Sequence, residues 1–192
     1  MTRSDDPGRR LDRREVFRGR IVAVSVDRVR MPDGREVEME LVRHPGSAAV
    51  LPIAETADGG EEVLLLRQYR YATGGWLLEI PAGKLDPGES AADCARRELA
   101  EETGWAAGEI EPLGEVWPSP GVLAERIALF VACGLTPAEQ SLEDDELLTV
   151  ERLPLAEAVA RAASGELEDA KTVCALLRLA ARRSGLSRPR SG

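Results

Sequence analysis

The chain has 192 residues, enough for one domain with a sizeable core and a small appendage. Its 43% apolar and 31% charged residues are the proportions of a soluble globular protein. A net charge of −9 argues against a general binder of nucleic acid or of anionic membranes, and a small anionic substrate would need a local cation to receive it.

Residues 1–14 and 184–192 carry no apolar period and read as unstructured tails. The opening MTRSDDPGRRLDRREVF lacks the apolar run of a signal peptide, and no stretch approaches the length of a membrane span, so a cytoplasmic location is expected. From Val16 the pattern is that of a hairpin: GRIVAVSVDRVRM alternates, Pro32 to Gly34 supply a turn, and EVEMELVRH alternates again. Residues 15–45 are therefore expected as a small antiparallel sheet and 46–183 as the main domain. SAAVLPIAE, VLLLRQYRY and WLLEIP read as further strands, and the loop AGKLDPGE follows.

Ser90 is an expected N-cap and Gly104 an expected C′ residue, with a helix of about thirteen residues between them. Ala92, Ala95 and Leu99 share a stripe that should face the core. Glu98 and Glu102, four apart, form a separate acidic patch with Glu101 beside them. Strands are expected around Pro112 to Val116 and Arg126 to Ala132. The acid run LEDDELL, from Leu142 to Leu148, has the composition of a mobile, solvated loop. The last block reads as two helices broken at Ser164-Gly165. Mixed strands with helices on both sides imply an α/β sandwich.

Two residue types narrow the chemistry. Cys94, Cys133 and Cys174 are odd in number and about forty residues apart, which fits neither a disulfide framework nor a zinc cluster and implies three buried thiols. The only histidine, His44, lies between Arg43 and Pro45 at a strand end and reads as structural. Any general base is then expected to be a carboxylate.

Gly83 is followed six residues later by Glu89, and eight residues further by Arg97, Glu98, Leu99, Glu101, Glu102 and Gly104 in register. This resembles the signature of the Nudix hydrolase family, Gly-x5-Glu-x7-Arg-Glu-apolar-x-Glu-Glu-x-Gly-apolar, with Trp105 bulkier than the usual last residue. The physical reading agrees: glutamates at i, i+3 and i+4 present several carboxylate oxygens to a hard divalent cation, which can bridge them to phosphates. The resemblance implies a Nudix-type α/β/α sandwich with a mixed sheet, and pyrophosphate hydrolysis assisted by Mg²⁺, with Mn²⁺ as a substitute. It implies that Glu98, Glu101, Glu102 and the carbonyl of Ala82 hold the metal, that Arg97 fixes the glutamates, and that Glu89 braces the loop or binds metal through water.

Features outside that box resemble the ADP-ribose pyrophosphatase branch. They are Pro120, fifteen residues beyond Trp105, the hairpin lead-in, Arg70 in LLLRQYRY and Glu79 four residues before Gly83. The branch implies a homodimer formed by exchange of the amino-terminal sheet, and a nucleoside diphosphate sugar as substrate. Arg70 would bind phosphate, Glu79 and Pro120 would line the substrate site, and Phe17 would stack on the base, with Tyr69 and Trp117 as other stacking candidates. In the acidic loop Glu146 is the expected general base, with Asp145 and Glu143 behind it and Glu101 if the loop is passive. Met39 stands where relatives often have a phosphate-binding arginine, and Arg43 is the candidate to substitute for it. The rival readings are hydrolysis of another nucleotide sugar such as GDP-mannose, nucleoside triphosphate pyrophosphohydrolysis, and a Nudix-like binding or regulatory module.

Overall fold

A computed structural model of the chain describes residues 8–143 and 146–186. They form two compact units, one from the chain up to Gly46 plus Trp117–Arg126, the other from Ser47–Val116 plus the chain from Ile127 onward.

The first unit is a three-stranded antiparallel sheet, in the order β1 (Arg9–Arg18), β2 (Ala23–Arg30), β3 (Glu36–Arg43). β2 and β3 are the expected hairpin, closed where Gly34 takes φ 87° and donates to Met31 O at 2.8 Å. Residues 9–14, expected as part of an unstructured tail, instead pair in β1; residues 1–7 and 187–192 of the expected tails lie outside the described residues. β1 is solvated on both faces, so no apolar alternation marks it. Pairing with β2 holds it, helped by Arg13, whose Nε donates to the buried Asp27 at 3.1 Å. Burial opposes ionisation of Asp27, but hydrogen bonds from Arg13 and Ser25 with the charge of Arg43 outweigh it and keep the carboxyl below its ordinary value. Arg43 is thereby committed to Asp27. Trp117–Arg126, expected in the main domain, joins this unit because Val42 donates to Val122 O and accepts from Ala124 N, both at 2.8 Å.

The second unit holds β4 (Ser47–Glu55), β5 (Glu61–Arg70), β6 (Gly75–Glu79), β7 (Ala82–Lys84), α1 (Ala91–Thr103), β8 (Trp105–Ala106), β9 (Glu109–Val116), β10 (Ile127–Cys133), β11 (Thr136–Pro137), β12 (Leu148–Pro154), α2 (Leu155–Ser164) and α3 (Ala170–Arg183). Its main sheet runs β12-β5-β4-β10-β9, with β6 added to β5 and β7 to β4. β10 lies parallel to β4 and the other pairs are antiparallel, so the sheet is mixed.

β4 reads as a continuous apolar run because both of its faces are covered. Ala49, Leu51 and Ile53 point into a core with Leu155 and Ala158 of α2 and Leu176 and Leu179 of α3. Ala48 and Val50 point the other way, onto Cys94, Ala95 and Leu99 of α1. This is the α/β/α sandwich expected. Both caps of α1 form: Ser90 Oγ accepts from Asp93 N at 3.1 Å, and Gly104 takes φ 72°. Only Cys94 of the three thiols is buried; Cys174 is half-buried, and Cys133 is exposed because it ends β10 where the strand leaves the core. Among the described residues no helix is long and apolar enough to cross a membrane.

Candidate active site

The acidic cluster is built by two pieces of backbone, the loop leaving β7 and the helix α1. The sequence presents Glu98 and Glu102 as an acidic patch apart from the core-facing stripe, and they too are buried, at 8% and 2% exposed. The chain at Ala82 and Gly83 folds over them. Glu102 Oε2 accepts from Ala82 N at 2.9 Å, and any side chain at Gly83 would collide with the Glu98 carboxylate. Burial raises the pKa of Glu98 against the opposing charge of Arg97. For Glu102, burial and then the charge of Glu98 push it up to about 9. Two desolvated carboxyls thus share a site short of positive charge.

Arg97 is the cation bonded to Glu98. Its Nε and Nη2 donate to Glu89 Oε1 and Oε2 at 2.8 and 3.0 Å, and its Nη1 donates to Glu98 Oε1 at 2.6 Å and to Glu101 Oε2 at 2.9 Å. Nη2 also reaches Lys84 O at 3.2 Å, so one guanidinium ties the loop to three glutamates. The hydrogen bonds from Arg97 hold Glu89 at about 2, and Glu89 Oε2 in turn accepts from Asp86 N at 3.0 Å. Among the described residues no three His, Cys, Asp or Glu side chains already stand at metal-ligand spacing.

The acidic loop is anchored at both ends. Ala138 N and Ser141 N donate to Gly104 O and Glu101 O at 2.8 and 2.9 Å, and Gln140 Nε2 donates to Glu102 O at 2.7 Å. At the far end Tyr69 N donates to Leu147 O at 2.9 Å. Between these anchors Glu146 Oε2 accepts from Glu143 N at 2.8 Å, and the charge of Glu146 helps to raise both Glu98 and Glu102. Glu146 therefore stands within electrostatic reach of the buried pair. Glu143 is exposed, and Asp145 lies outside the described residues.

Arg70 ends β5 and meets Glu79, which ends the neighbouring β6. Its Nε and Nη2 donate to Glu79 Oε1 and Oε2 at 2.8 and 3.1 Å, while 40% of the Arg70 side chain remains exposed. Burial works against the Arg70 charge, but Glu79 overrides it, with Glu102 and Asp169 adding, so the guanidinium is held more firmly ionised. Glu79 is 1% exposed and is also paired with the Lys171 ammonium, which reaches Asp169 Oδ1 at 3.1 Å. Asp169 caps α3 by accepting from Thr172 N at 3.0 Å, and Thr172 Oγ1 accepts from Ile80 N at 2.8 Å. Sequence reading missed Lys171, Asp169 and Thr172. The N-cap pattern of Asp169 and Thr172 was a signal for the helix start, but nothing local connects them to Glu79.

Ala82, Arg97, Glu98, Glu101, Glu102, Arg70, Glu79 and Glu146 are all brought together in the second unit. Phe17 and Pro120 are not among them. They belong to the first unit, where both are exposed, Phe17 at 55%. Of the other stacking candidates, Tyr69 packs edge-on against Trp76 with centroids 5.8 Å apart, and the Trp117 ring lies 4.9 Å below the Arg126 guanidinium.

Residues 43–176 match the NUDIX domain, and the chain belongs to the Nudix family, as a pyrophosphohydrolase. It is 38% identical over 164 residues to a methanol dehydrogenase activator of Bacillus methanolicus, spanning 84% of this chain and 86% of that protein. With the same spans it is 34% identical to the ADP-ribose pyrophosphatase of Bacillus subtilis (strain 168). A crystal structure of an ADP compounds hydrolase superimposes with a TM-score of 0.79 at 26% identity, covering 98% of this chain and 100% of that one.

Proposed function

We propose that this Nudix enzyme hydrolyses the pyrophosphate bond of ADP-ribose or a related ADP-sugar in a Mg²⁺-dependent reaction, giving AMP and a sugar phosphate. The observation that carries the proposal is the buried pair Glu98 and Glu102 under the Gly83 loop, with the half-exposed Arg70 in electrostatic reach. The similarity to an ADP-ribose pyrophosphatase along most of the chain supports the substrate class.

The residues fit a divalent ion. Every donor is oxygen, which suits a hard cation such as Mg²⁺ and also admits Mn²⁺. The raised pKa of Glu102 marks a buried carboxyl with too little compensating charge. Glu98, Glu102, Glu101 and the Ala82 carbonyl would hold the metal, which supplies neutralisation of phosphoryl charge and a more acidic water. Arg70 takes a substrate phosphate through its exposed face, and Glu79 with Lys171 fixes the direction of that guanidinium. Arg97 acts as a positioning residue for Glu98 and Glu101. Glu146 accepts the proton of the attacking water; Glu101 is the weaker candidate because Arg97 already engages its carboxylate. For Phe17 and Pro120 a substrate-contacting role, and for the chain a homodimer made by exchange of the small sheet, are supported by the resemblance to ADP-ribose pyrophosphatases.

Turnover of ADP-ribose, ADP-glucose, GDP-mannose and ATP with Mg²⁺ in ¹⁸O-labelled water tests the proposal. Preference for an ADP-sugar, with label in one of the two phosphate products, is expected. Equal rates on ATP and ADP-ribose contradict it.

A further inference from the structure

β5 carries a buried polar side chain that the site as described does not use. Gln68 is 4% exposed, and its amide oxygen is buried without a hydrogen-bond partner among the described residues. In the ladder Gln68 stands opposite Leu148 of β12 on one side and Leu77 of β6 on the other. Alternation along the strand places it on the same face as Arg70, two residues on, and Leu66, which is itself opposite Glu79. A buried acceptor with no donor lowers stability, whereas an apolar side chain would suit the leucines on either side. The free protein thus carries a destabilising group on the same strand face as the arginine assigned to phosphate.

We infer that Gln68 determines specificity by hydrogen-bonding a hydroxyl of the sugar joined to the substrate's second phosphate. The inference rests on the proposed hydrolysis of a nucleoside diphosphate sugar. Chemistry selects the hydroxyl. The orphaned atom is an acceptor and needs a donor, which phosphate oxygens are not; those oxygens are matched by the guanidinium of Arg70. A hydroxyl can donate to the amide oxygen or accept from the amide nitrogen, so it satisfies the carboxamide whichever way the group is turned.

The test compares wild type with Gln68→Met and Gln68→Leu, two variants so that one side chain failing to pack does not decide the matter. Thermal midpoints of the free proteins are read beside kcat/KM for ADP-ribose and for ADP methyl ester, which keeps the pyrophosphate and lacks the sugar. The midpoint is expected to rise by about 2–4 °C as the orphaned oxygen is removed. The ratio of kcat/KM for ADP-ribose over that for the methyl ester is expected to fall about tenfold. An unchanged ratio, as when the amide holds only a buried water or merely supports Arg70, overturns the inference. A wild type that cleaves neither compound overturns the proposed function and the inference with it, so the two failures are distinguishable.

Discussion

Gly83→Ala is a single-methyl perturbation aimed at the cluster. A Cβ at Gly83 would stand 1.8 Å from Glu98 Oε1 and 2.6 Å from Oε2, against the 3.4–4 Å of ordinary contact. The carboxylate would therefore have to move by about 1.5 Å, and a misplacement on the order of 1 Å at a reacting centre costs about a hundredfold in rate. Gly83 is not among the glycines with positive φ, so the alanine brings no backbone strain of its own. What is lost in the free protein is mainly the 2.6 Å bond from Arg97 Nη1 to Glu98, worth roughly 1–2 kcal/mol. Steady-state kinetics on ADP-ribose should show kcat/KM down at least about a hundredfold. The thermal midpoint should fall by no more than about 8 °C, leaving the protein folded at 25 °C. Gly75→Ala is the control, since its Cβ meets nothing within 4 Å. If Gly83→Ala retains full kcat/KM, Glu98 is not held where the chemistry needs it.

Arg70→Lys should raise KM for ADP-ribose about tenfold with a smaller change in kcat, because an ammonium cannot bond both Glu79 oxygens while facing a phosphate; an unchanged KM would remove Arg70 from phosphate binding. Glu146→Gln should lower kcat by about 10²–10⁴-fold and Glu101→Gln by less; the reverse order moves the base to Glu101. Folded Glu102 keeps its proton up to about 9, whereas in the unfolded chain it titrates near 4.5, so the folded state binds the extra proton between those values. Metal-free protein should accordingly be most stable, in this respect, below pH 4.5 and lose that contribution as pH rises towards 9, and Glu102→Gln should flatten the profile in thermal melts. At pH 8, Mg²⁺ at about a hundred times its Kd should restore about 2.7 kcal/mol, and EDTA should reverse it. A melt indifferent to both pH and EDTA would contradict the metal assignment.

The acidic helix was legible because its determinants are local. Ser90, Gly104 and the spacing of Arg97, Glu98 and Glu102 lie within one short segment, and α1 forms between those caps. What spacing does not carry is depth. Glu98 and Glu102 are buried because Ala82 and Gly83 fold back over them, a property of the loop path rather than of the helix period. Lys171 escaped for the same reason at longer range, since it meets Glu79 across 92 positions of sequence. β1 was illegible from the opposite cause: with both faces solvated, it gives no apolar rhythm, and its pairing with β2 is visible only in three dimensions. The segment around Pro120 sides with β3 through backbone bonds to Val42 that no side-chain pattern records.

The central claim is that Glu98 and Glu102 hold a metal for cleavage between two phosphates of a nucleoside diphosphate sugar. Cleavage of ADP-ribose by wild type and by Glu98→Gln, each with Mg²⁺ and with EDTA, followed by ³¹P NMR, tests it most directly. AMP and ribose 5-phosphate should appear only with wild type and Mg²⁺. Equal product from Glu98→Gln, or from wild type in EDTA, would contradict it.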